Sequence, residues 1–159
     1  MPTTLVWFRQ DLRLADHPAL RFAAERGAVV PVFMRCPEEE GAGPVGGARQ
    51  WWLHQSLSKL AASLYKLGSG LILRQGPAFE TLLEIAAEAR ADTVVWHRCY
   101  EPAAIARDKK VKRGLADAIV NHRHALAIGQ LAHPLGHVFL GVVDDLVASH
   151  GLGQRRFLR

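Results

Sequence analysis

The sequence predicts a three-layer α/β/α domain built on a five-stranded parallel sheet. Three observations lead there. Short apolar runs alternate with stretches of helical periodicity. Each connection between successive runs contains a helix, which is how parallel strands are joined. The 159 residues suit one domain with a real core.

Residues 4–8, Thr-Leu-Val-Trp-Phe, read as a buried strand that ends at the charged loop Arg9, Asp11, Arg13. Asp16-His17-Pro18 starts a helix: Asp offers a cap, and Pro is tolerated in the first turn. Leu20, Ala23 and Ala24 give that helix an apolar side, and Gly27 ends it. Residues 28–34 form a second strand, in which Pro31 belongs at a start or a bulge. Residues 37–47, rich in Glu, Gly and Pro, form a loop.

Leu53, Leu57, Leu60, Leu64 and Leu67 then recur at spacings of four and three, which places them on one face of a helix over 48–67. Gly68 and Gly70 stop it, and Leu71-Ile72-Leu73 makes a third strand. After Gly76-Pro77 a helix carries Phe79, Leu82, Leu83 and Ala86 on one side. Thr93 to Trp96 is the fourth strand. A basic helix over about 102–120 follows, with Val111, Leu115 and Ala118 inward. Ala125 to Ile128 is the expected fifth strand, and 138–148 a short helix. The domain is placed at 1–130 and a divergent tail at 131–159.

Composition removes several function classes. No apolar run approaches the ~18 residues that span a bilayer. No signal-peptide layout opens the chain, so a soluble cytoplasmic protein with no membrane partner is expected. Cys36 and Cys99 are far apart and outside any CxxC pair, which argues against a zinc site or a disulfide framework. No GxGxxG, P-loop, HExxH or GxSxG motif occurs. His133 and His137 have the spacing of two ligands on a helix, but Pro134 lies between them and no third ligand is near, so no metal site is assigned. Net charge is +5, and residues 107–113 hold five cations in seven positions. That is compatible with a polyanion, but a solvated helix face explains it equally, so DNA contact by this domain is doubtful.

In a parallel sheet with helices on both faces, ligands bind beyond the carboxyl ends of the strands, where the strand order reverses. Loops 9–13 and 97–101 leave strand ends with unusual chemistry and are expected to face one crevice. Each candidate has two readings. Arg9, Asp11 and Arg13 either contact an anion or chromophore or fix their own loop through ion pairs. Adjacent Trp51 and Trp52 point to different sides of their helix, and either fills the core rim or stacks on an aromatic ligand. Tyr100 and Glu101 either hold a heteroaromatic ligand or tie their loop to its neighbours.

Four blocks together resemble the N-terminal α/β domain of the DNA photolyase/cryptochrome family. They are Val6 to Leu14 with Asp16 to Leu20, Trp51 to Leu57, Leu67 to Gly76, and Val95 to Pro102 with Arg107-Asp108. They stand in family order at family-like spacing and cover roughly residues 4–118. The resemblance implies a Rossmann-like domain that carries a light-harvesting antenna chromophore: a reduced folate, a deazaflavin or a flavin. It implies that FAD, DNA binding and repair chemistry belong to a separate helical flavin domain. Neither FAD nor the lyase activity is therefore expected of this chain alone. The crevice is expected to use Trp7, Phe8, Arg9, Asp11, Arg13, Trp51, Arg98, Tyr100 and Glu101. His17, and often His97, stand where the family has Asn. Ala103 and Ala104 stand where folate-binding members are polar, which favours a deazaflavin or flavin. Past residue 118 the family pattern is lost, as a frame shift or a degenerate fragment would produce. The competing reading is a Rossmann-like nucleotide or flavin binder unrelated to DNA repair.

Overall fold

A computed structural model describes residues 1–37, 46–121, 129–133 and 136–141. Four strands, β1 (Thr3–Phe8), β2 (Ala28–Arg35), β3 (Ile72–Gln75) and β4 (Thr93–His97), run parallel. They alternate with α1 (Pro18–Arg26), α2 (Gly47–Lys66), α3 (Ala78–Ala89) and α4 (Pro102–Asn121). Two further strands, β5 (Gly129–His133) and β6 (Gly136–Gly141), complete the order β3-β2-β1-β4-β6-β5.

The period-two alternation of β1 sorts its side chains between two cores. Leu5 and Trp7 pack with Leu82, Ile85, Val111 and Leu115 of α3 and α4. Val6 and Phe8 pack with Ala19, Ala23, Leu60 and Leu64 of α1 and α2. Both faces of the sheet are thus covered, giving the three expected layers. From β1 the chain winds outward to β2 and β3, then returns through α3 to β4 on the other side of β1. The order therefore reverses between β1 and β4, and that point sets the ligand crevice.

The sheet departs from expectation at its far edge. Its parallel part has four strands, not five. The expected fifth strand at 125–128 lies outside the described residues. The place beside β4 is taken by β6, which is antiparallel, with Trp96 paired to Phe139. The helix expected from 138 is also corrected: 138–141 is strand, and the remainder to 148 lies outside the described residues. Val138-Phe139-Leu140 is too short an apolar run to cover a sheet as a helix, but it fits the open edge of β4. The same hairpin puts His133 opposite Gly136 and His137 opposite Ala132, so these histidines do not share a helix face.

Local chemistry accounts for three smaller corrections. His17, not Asp16, caps α1: its Nδ1 accepts the Leu20 N–H at 3.0 Å, while Asp16 adopts a left-handed turn at φ 53°. Pro31 lies inside β2 opposite Val6. β3 joins β2 only from Val32 onward, so on that flank position 31 has no ladder for a missing N–H to break. Leu67 is exposed, because α2 ends at Lys66 before Leu67 can reach the core. Gly27 is required by a close approach, since a Cβ there would meet the Pro2 carbonyl oxygen at 2.5 Å. Among the described residues no helix is long and apolar enough to cross a membrane.

Candidate functional site

A cavity of about 670 Å³ opens at the carboxyl ends of β1, β2 and β4. That volume suits a small-molecule ligand. β1 contributes Trp7 and the loop residue Arg9; β2 contributes Phe33, Met34 and Arg35. The first turns of α2 supply Arg49, Trp52 and Leu53. The loop after β4 and the start of α4 supply Cys99, Glu101, Ala104 and Arg107. The wall thus carries four arginines against Glu101, with Trp7, Phe33 and Trp52 as flat surfaces.

The inner end is organised by a buried ion pair. Arg9 and Asp108 have side chains only 7% and 8% exposed, with Nη1 to Oδ1 at 2.7 Å. Arg9 Nη2 also donates to Asp108 Oδ2 and to the His97 carbonyl oxygen. Trp96 Nε1 donates to Asp108 Oδ2 at 3.2 Å. One carboxylate therefore joins β1, β4 and α4. The guanidinium carbons of Arg9 and Arg107 lie 4.8 and 5.1 Å from the Trp7 ring centroid, within cation–π range. Among the described residues three buried donors in this group make no hydrogen bond: Trp7 Nε1, Arg9 Nε and Arg107 Nε, the last lying 3.8 Å from Asp108 Oδ1. Buried polar groups are nearly always paired, so three orphaned donors around one indole set an acceptor-seeking surface.

Beside the cavity, Asp11 pairs with Arg13, and that hydrogen bond holds the Asp11 carboxyl down at about 2. His17 and His97 stack with centroids 4.2 Å apart. Burial, then the neighbouring His97, lowers His17 to about 4; burial lowers His97 as well. Asp11, His17 and His97 bring one potential ligand atom each within 4.8 Å. Stacked rings aim their lone pairs along parallel planes, however, and do not converge on one ion at the ~2.0–2.1 Å that Zn–N bonds need. His17 Nδ1 is moreover occupied by the Leu20 N–H.

The structure brings Trp7, Arg9 and Glu101 of the expected residues into the cavity wall. Phe8 lies on the opposite face of the sheet, 4.9 Å from the His17 ring. Asp11 and Arg13 lie outside the wall, as does the half-buried Arg98. Tyr100 and Trp51 are exposed away from it; Trp52, not Trp51, faces the cavity. Sequence reasoning missed Arg35, although β2 ends on the same side as β1 and the strand-end rule applies to it equally. Arg49 carried no local signal, and Arg107 stood out only as part of a basic run and a family block; only the packing of α2 and α4 turns them to the crevice. Cys36 and Cys99 are both buried and form no disulfide among the described residues.

A doubly wound sheet with an aromatic, cation-lined crevice at its switch point defines an α/β domain of the Rossmann type. Comparison with known proteins gives the family. The family model described as DNA photolyase matches residues 4–138, and the chain belongs to that family. The match runs past residue 118, where the sequence pattern had been expected to end. A deoxyribodipyrimidine photo-lyase of Agrobacterium fabrum is 48% identical over 130 residues, covering 81% of this chain and 26% of the relative. Cryptochrome-2 of Arabidopsis thaliana is 44% identical over 115 residues, 72% of this chain and 19% of the relative. A class III photolyase structure from Agrobacterium tumefaciens superposes with TM-score 0.67 at 47% identity, over 74% of this chain and 24% of that one. An archaeal photolyase from Sulfolobus tokodaii, described with two FAD molecules and a novel light-harvesting cofactor, gives TM-score 0.65 at 28% identity, over 72% and 27%. The chain thus spans about a quarter of the length of these relatives.

Proposed function

We propose that the cavity holds an antenna chromophore of the flavin or deazaflavin type, which absorbs light for a flavin domain of the kind the family resemblance implies. The carrying observation is the trio of orphaned donors around Trp7. A buried donor without an acceptor costs about 1–3 kcal/mol, which a ligand carbonyl would recover. The dione edge of a flavin or deazaflavin presents such carbonyls. The pterin edge of a folate brings amino donors to a wall that already has an excess, and Ala104 in that wall offers no polar partner. Arg35 and Arg49 nearer α2 suit an anionic tail, and Phe33 and Trp52 suit a flat ring. The second FAD described for the Sulfolobus tokodaii photolyase supports a flavin in this role. No catalytic group is assigned to this chain; light-driven DNA repair is the activity of the longer photolyase relatives.

Titration of the purified chain with FMN and with a deazaflavin, followed by visible absorbance and fluorescence quenching, tests this reading. Saturable one-to-one binding is expected, weakened at least tenfold in Trp52→Ala. Trp52 is 69% exposed, so that variant leaves the core intact. Calorimetric binding of an adenine nucleotide, with no chromophore bound, would instead establish a nucleotide binder.

A further inference from the structure

Among the described residues a second hollow, of about 480 Å³, lies between α3 and α4. Phe79 and Glu80 of α3 line it on one side, and Lys109, Lys110 and Arg113 of α4 on the other. α4 turns Val111 and Leu115 into the core. At 3.6 residues per turn, Lys109, Lys110 and Arg113 then fall together on the opposite face. All three are exposed. Lys109 and Arg113 make no ion pair or hydrogen bond among the described residues. On the adjoining flank, Lys112 is held below the usual lysine range, first by burial and then by the Arg98 guanidinium. The hollow owes its shape to Gly114, where a Cβ would meet the Phe79 ring at 2.7–2.9 Å. Without that Cβ the half-buried ring lies against the α4 backbone and the core, with its remaining surface in the hollow beside the cations.

We propose that this groove binds single-stranded nucleic acid, with Lys109, Lys110 and Arg113 on successive phosphates and Phe79 offering a ring face to a base. A cationic groove containing an aromatic side chain is the arrangement that holds single strands without sequence preference. A lipid surface fits less well, since none of the exposed large apolar side chains among the described residues lines the groove. The proposal is independent of the chromophore cavity, which lies at the carboxyl ends of the strands.

Fluorescence anisotropy of labelled oligothymidylate with the full 159-residue chain, across a salt series, is the test. Three neutralised phosphates predict a slope of log affinity against log salt of about −2. The double variant Lys109→Ala/Arg113→Ala is expected to bind at least tenfold more weakly, with a slope of roughly −0.7. Phe79→Leu is expected to weaken binding with the slope unchanged. Replacing Arg155, Arg156 and Arg159 by Ala is expected to change neither. Wild-type binding by the double variant, or loss of binding in the tail variant, overturns the proposal. So does binding to phosphatidylserine vesicles with none to the oligonucleotide.

Discussion

His17 makes the stability of the domain depend on pH between about 4 and 6.5. Its ring is buried against Phe8 and His97, and its Nδ1 must stay unprotonated to accept the Leu20 N–H. The fold therefore lowers the imidazole from 6.5 to about 4. As pH falls below 6.5 the unfolded chain takes up a proton that the folded chain refuses, so stability is full above that value and is lost progressively toward pH 4. At about 1.36 kcal/mol per pH unit, the whole loss from this one group is about 3 kcal/mol. His97 is lowered too and adds in the same direction. Asp11 contributes nothing in this window, because its carboxyl is charged in both states until pH nears 3.8. Urea unfolding of the wild type and of His17→Asn at pH 7.5 and 4.5 isolates the effect. Asn preserves an N-cap acceptor but has no proton to take up. The wild type is expected to lose about 2–3 kcal/mol more than the variant between the two pH values. An equal loss in both proteins refutes the reasoning.

Three further outcomes are expected. Asp108→Asn leaves the buried Arg9 without its counter-charge, and by the usual cost of breaking a buried pair should destabilise by about 3–5 kcal/mol in chemical denaturation. For the same reason Arg9→Ala should also weaken the fold, visible as a lowered Tm. Gly114→Ala should lower Tm despite the gain of about 1 kcal/mol that Ala ordinarily brings to a helix, because its Cβ meets the Phe79 ring.

The opening loop shows how one residue reads two ways until packing decides. Arg9 carries the signal of a ligand contact, and it does line the cavity. Its two terminal nitrogens already donate to Asp108 and the His97 carbonyl, and Nε is the guanidinium nitrogen that makes no hydrogen bond among the described residues. Asp108 lies 99 residues further along, so no local pattern pairs the two. The adjacent tryptophans divide similarly: a helix separates neighbouring side chains by about 100°; both are exposed, and only the seat of α2 on the sheet brings Trp52 rather than Trp51 to the rim of the cavity.

What the sequence determined by itself is the periodic part of the protein. Apolar runs of strand length, the leucine repeat of α2, the glycines that end elements and the four family blocks are local, and local spacing suffices for α/β order, the carboxyl-end crevice and the family. Only the tertiary structure decided matters that depend on residues meeting across long separations. These are the antiparallel β6 on the free edge of β4, the Arg9–Asp108–Trp96 junction, and the gathering of Arg35, Arg49 and Arg107 around one cavity. The reason is physical: hydrophobic periodicity records which face of an element is buried, but not which charged side chain from a distant element will meet it there.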